Sequence, residues 1–252
     1  MTRPTDAYGR ILNVWKGNYA SEIHDLARST EKLCFSVFHE STAPLREGAQ
    51  EVTNFIAMHP KVHADVYRIL GNAARLGAYL KNRPRRKGDQ SAGQYELQTR
   101  RIEWMRGLLV GIDFSEISDA RVRHSLEHFD EFLDETALKS ARGKLGSSTM
   151  FPKDVVASSE NAFGDKGIFN LEGATVYPLR VYYAIPRTFL NCGRRIDVGR
   201  IANECKDIAE RLENEVPDLL PVLPGSGSLI MLSASAYSDD TSQGTNAYTK
   251  AP

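Results

Sequence analysis

Little in this chain points to a stapled, membrane-bound or charge-driven protein. Three cysteines in 252 residues, Cys34, Cys192 and Cys205, are too few and too scattered for a disulfide framework or a paired-cysteine metal knuckle. They read instead as small buried hydrophobes of a reducing compartment. The formal net charge is zero, from 32 basic and 32 acidic residues, so the global charge does not advertise a general nucleic-acid binder. No apolar run approaches membrane-spanning length, and the opening residues MTRPTDAYGR lack the apolar stretch of a secretory signal. The expectation is a cytoplasmic protein without a membrane partner. Internal repeats are absent. His24, His39, His59 and His63 have no ligand-like neighbours and are read as structural residues.

What is present suits a mainly α protein. With 41% hydrophobic residues, the chain has room for one large or two small domains. Helical periodicity runs from about Tyr8 to Phe38 through Ile11, Leu12, Trp15, Tyr19, Ile23, Leu26, Leu33 and Val37. A short helix is expected over Arg46 to Met58. A stronger one starts at Pro60, where Val62, Val66, Ile69, Leu70, Ala73, Leu76, Gly77 and Leu80 recur at steps of three and four before Pro84. A fourth, Gln94 to Val110, buries Ile102, Met105, Leu108 and Leu109.

Beyond Gly143 the composition changes. Gly146-Ser147-Ser148 is a linker candidate, and β-branched and aromatic residues gather in Val155-Val156, residues 167–171 and Thr175-Val176-Tyr177. Leu179 to Ile185 and Thr188-Phe189-Leu190, separated by Pro186-Arg187, read as a hairpin. Asp197 then precedes Ile201, Cys205, Ile208 and Leu212, an amphipathic helix ending near Glu215. The expected division is a helical bundle over 1–145, a small α+β element (hairpin plus helix) over 146–218, and a largely flexible tail over 219–252, rich in Pro, Gly, Ser and Thr.

The chemistry concentrates between Asp119 and Glu135. Ser118 and Asp119 offer an N-cap, and Val122, Leu126, Phe129, Leu133 and Ala137 form one apolar stripe. Arg123, His124, Glu127 and Glu131 then point outward, with His128 at the stripe's border. At 3.6 residues per turn, Arg123 and His128 project about 140° apart and flank one strip of the helix. Arg123 can hold a phosphate with two parallel hydrogen bonds, and His128 can move protons near neutral pH. Cleaving a phosphodiester without a metal needs both. A second feature is Lys81-Asn82-Arg83-Pro84-Arg85-Arg86-Lys87, five cations in seven residues. Lys81, Arg83, Arg85, Arg86 and Lys87 are candidates for holding an RNA backbone, or else a solvated loop.

The run Arg123-His124-Ser125-Leu126-Glu127-His128 resembles the signature of the HEPN superfamily, an Arg, a polar residue and then a His (R-x4-6-H) near the start of a late helix. The resemblance extends over roughly residues 8–142 as a succession of helices, with Asn or Asp commoner than His after the Arg. It implies an up-and-down helical bundle, working as a homodimer whose two motifs face one cleft. Active members are metal-independent endoribonucleases, in which Arg123 would orient the scissile phosphate and His128 act as acid or base. His124 and Glu127 would orient these two, and no cofactor or metal would be needed. The partners so implied are RNA, a second copy, and an antitoxin or other regulatory protein.

Two other readings stay open. Some members of that superfamily have lost activity and serve as interaction or scaffold modules. The same residues also match H-x-x-E-H, in which His124 and His128 would hold zinc beside Glu127 as the base of a peptidase, although the third ligand cannot be identified. The bland alternative is a solvated helix face with Arg123 paired to Glu127.

Overall fold

The computed structural model describes residues 7–43, 45, 55–81, 88, 90–119, 129–142, 149–163, 169–171, 174–191 and 194–220. They are mainly helical, with smaller sheets. Helix α1, Ala7–Ser41, has neighbours in helices α2, Pro60–Leu80, and α3, Ala92–Leu108. Helix α4 covers Phe129–Ala141 and α5 covers Val198–Glu215.

The start signals are chemical. Pro60 sits in the first turn of α2, where its missing N–H costs nothing, and the His59 imidazole accepts the Val62 N–H. Ser91 and Gln94 form a reciprocal capping box on α3. Asp197 caps α5 by accepting the Arg200 N–H at 2.8 Å. The α2 stripe is buried from Val62 to Leu80, as its spacing predicts. On α1 Ile23, Leu26 and Val37 are buried and Leu33 half-buried, but Ile11 and Trp15 are 42% and 49% exposed.

Five strands form the larger sheet: β1 (Ile56–Met58), β3 (Val155–Ala157), β6 (Arg180–Tyr183), β7 (Thr188–Asn191) and β8 (Arg194–Asp197), in the order β1-β3-β6-β7-β8. Among the described residues of this sheet, β3 and β6 pair parallel and the other neighbours antiparallel. A second sheet joins β2 (Thr149–Met150), β5 (Ala174–Val176) and β4 (Phe169–Leu171). The expected hairpin is present as β6 and β7, with Arg187 in its turn at φ 54°. It continues into β8, whose Arg194-Arg195 start hides the strand from a hydrophobicity pattern.

Alternation along the larger sheet sorts its two faces. Val156, Tyr182, Phe189 and Ile196 join the same core as α1, α2 and α5, whereas Val155, Ala157, Val181 and Tyr183 form a separate cluster with Ala162 and Leu190. The Phe189 ring meets His63 and Tyr67 of α2 edge-on, at centroid distances of 5.5 and 5.9 Å. Helix α5 buries Ile201, Cys205, Ile208 and Leu212 against α1.

The expected helix over Arg46 to Met58 is corrected at its end: Ile56–Met58 is a strand. Backbone pairing with β3 overrides the local pattern, Ala57 lying opposite Val156. On α4, Leu133 is half-buried but Ala137 is exposed, so the stripe is not sealed along its length. Cys34 and Cys205 are free and buried, and desolvation pushes the Cys34 thiol up to about 12, away from reactivity. Among the described residues no helix is long and apolar enough to cross a membrane.

Candidate functional site

Arg123, His124, Glu127 and His128 lie outside the described residues, as do Arg83, Arg85, Arg86 and Lys87. The chain on either side of them is described. Lys81 ends α2 and opens the basic run; its Nζ donates to the Ser118 carbonyl at 3.3 Å. Gly77, one turn earlier, faces Ile117 so closely that a Cβ there would stand 2.8 Å from the Ile117 oxygen. The structure therefore brings the start of the basic run beside Ser118-Asp119, the residues that lead into the motif.

A buried carboxylate fixes that lead-in segment. Glu204 of α5, 3% exposed, accepts the Glu116 and Ile117 N–H groups at 3.0 and 2.9 Å. Glu116 in turn accepts the Asp197 N–H at 3.0 Å. Burial raises the Glu204 carboxyl above its ordinary range, while the two backbone donors and Arg200, with Nε at 3.2 Å, act against that shift. Asp113 and Ser115 hold the other end of Arg200, which keeps Asp113 below the usual carboxylate range. Ile117 closes the contact as an apolar plug, 2% exposed. The sequence reading did not single out Glu204. Its signal was a carboxylate inside the Ile201, Cys205, Ile208 stripe, where a charge needs partners.

On another face of α2, an open cleft of about 380 Å³ is lined by Arg75, Ala78, Tyr79, Gln98 and Arg101. The Arg101 guanidinium lies 5.3 Å from the Tyr19 ring centre and 5.1 Å from that of Tyr79. The basic run leaves α2 two residues past Tyr79. Beyond the run, Gln90 donates to Gln98 at 2.8 Å. Tyr79 of one wall and Gln98 of the other are thus close in sequence to the two flanks of the run.

Two further polar clusters are architectural. His63, 1% exposed, holds the Val155 carbonyl at 2.8 Å through Nε2, while its Nδ1 has no hydrogen-bond partner and stands 3.6 Å from Asp154. Arg180 ties Asp154 at 2.6 Å to the Tyr67 hydroxyl at 2.7 Å, joining α2 to the sheet. Desolvation lowers the His63 imidazole to about 4. His24 and Arg28 of α1 converge on Glu213 of α5 at 2.8 and 2.6 Å. Hydrogen bonding from Arg28 holds that carboxyl down at about 2. His24, His59 and His63 thus serve helix capping and packing. Among the described residues there is no group of three His, Cys, Asp or Glu side chains arranged to hold a metal.

Comparison of the chain with protein-family models, with curated proteins and with solved structures gives no match.

Proposed function

We propose that this chain is a metal-independent endoribonuclease of HEPN type that works as a homodimer. The observation that carries the reading is the junction at the end of α2: Lys81 of the basic run bonds Ser118, five residues before Arg123. The first cation of the basic run and the segment that precedes the motif in sequence thus meet at one point. The segment entering the motif is anchored by Glu204 rather than by exposed contacts alone, as a site that must hold its geometry requires.

In the reaction, Arg123 neutralises and orients the phosphate. A His128 imidazole accepts the 2′-hydroxyl proton as the 2′-oxygen bonds to phosphorus, and the 5′-oxygen leaves with a proton from a protonated imidazole. The products are a 2′,3′-cyclic phosphate and a 5′-hydroxyl. His124 and Glu127 orient these two groups.

The test is cleavage of unstructured RNA in excess chelator. Cutting should persist with cyclic-phosphate ends, leave DNA intact, and disappear in Arg123→Ala and His128→Ala without a fall in unfolding temperature. Loss of cutting on chelation would move the motif to the zinc reading.

A second reading, a non-catalytic interaction module, is favoured by Ile11, Val14 and Trp15 on α1, which are 42%, 80% and 49% exposed. Partner binding without motif-dependent cleavage would establish it, with a regulatory protein as the natural occupant.

A further inference from the structure

The cleft between α2 and α3 contains chemistry that the cleavage reading does not use. Among the described residues its lining holds two guanidinium groups, a phenol and an amide, and no carboxylate. Arg75 and Ala78-Tyr79 occupy one face of α2 at steps of three and four, and Gln98 and Arg101 face them from α3 at a step of three. The spacing aims all five at one space.

Arg101 is fixed in advance. Its guanidinium lies within 5.3 Å of both tyrosine rings, so little rotational freedom is left to lose on binding. Its Nε is sealed from solvent and has no hydrogen-bond partner, a cost that the aromatic faces only partly offset. Arg75 is held differently. It gives one terminal nitrogen to Glu22 at 2.9 Å, and its side chain is 61% exposed. Glu22 is the acidic group that opposes an anion here, and its charge is already committed to Arg75.

A volume of about 380 Å³ lies at the small end of ligand sites, which run from roughly 300 to 1,000 Å³. We infer that this cleft binds a phosphate ester of nucleotide size, with the phosphate between Arg75 and Arg101, Gln98 donating to it or to the sugar, and a ring against Tyr79. Planar guanidinium groups match phosphate oxygens in pairs. The same chemistry is offered by a free nucleoside monophosphate and by one nucleotide of a single-stranded RNA. The inference stands whether or not the chain cleaves RNA.

Calorimetric titration of the full chain with inorganic phosphate, with adenosine 5′-monophosphate and with a short oligoribonucleotide separates the sources. Binding of the monophosphate at least as tight as that of the oligonucleotide identifies a small-molecule site; a preference for the oligonucleotide that the cleft variants abolish identifies an RNA subsite. Either supports the inference, provided Arg75→Gln and Gln98→Glu each weaken binding about tenfold or more while melting like the parent protein. Gln98→Glu is chosen because it keeps the acceptor for Gln90 and adds a charge that repels phosphate, whereas Arg101→Ala removes a packing element of the tyrosine pair. The cleft variants are read on binding of the monophosphate and the cleavage reading on the RNA products, so failure of the cleavage reading and failure of this one are distinguishable. The inference is overturned if none of the three ligands binds, or if both cleft variants bind as the parent does.

Discussion

Gly77 and Ile117 approach so closely that a methyl group on the glycine would stand 2.8 Å from the isoleucine carbonyl oxygen. That contact joins α2 to the segment leading into the motif. Gly77→Ala sets two effects against each other. Alanine gains about 1 kcal/mol of helix propensity, and overpacking against backbone costs roughly 1–3 kcal/mol. Because Ile117 is also tied to Glu204, it has little room to yield. The expected result is a lower unfolding midpoint in denaturant, with weakened RNA cleavage. A variant more stable than the parent would show that the segment moves aside freely.

Stability should fall as the solution is acidified from about pH 6.5 toward pH 4. The folded His63 imidazole titrates near 4, below its ordinary 6.5, so the unfolded chain takes up the proton first and protonation favours unfolding. Glu213, held near 2 by Arg28, acts in the same direction lower down, losing its contribution as pH drops from about 4.5 toward 2. Melting temperature against pH checks this. His63→Gln keeps a donor for the Val155 carbonyl and should flatten the upper part of the profile; an unaltered slope between pH 6.5 and 4 would reject the assignment.

Asp197→Ala should cost about 0.5–2 kcal/mol, since it removes the acceptor for the Arg200 N–H at the start of α5. Asp197→Asn or Asp197→Ser should restore most of it. The backbone N–H of residue 197 bonds Glu116 in every variant, so the Glu116 contact is not what the comparison reads.

The basic run has its own test. Replacing Lys81, Arg83, Arg85, Arg86 and Lys87 with Gln should weaken RNA binding and flatten its dependence on salt, because each phosphate contact releases a counterion. Equal salt slopes for the parent and the five-fold variant would make the run a solvated turn.

Where burial follows a local period, the sequence was sufficient. The α2 stripe and the Ile201 to Leu212 face could both be read from spacing, because a helix must hide one side. The Arg123 to His128 motif is a pattern of residue types at fixed steps in the sequence, and it lies outside the described residues. Tertiary structure decided what depends on distant partners. Ile56–Met58 became a strand because β3, about a hundred residues later, offers its backbone. Glu204 could be buried because Glu116 and Ile117 bring it two donors. The cleft exists because Arg75 and Tyr79 of one helix meet Gln98 and Arg101 of another. A chain carries its periods in its own order, but the partner that makes a buried charge or an edge strand affordable is fixed only when the chain closes on itself.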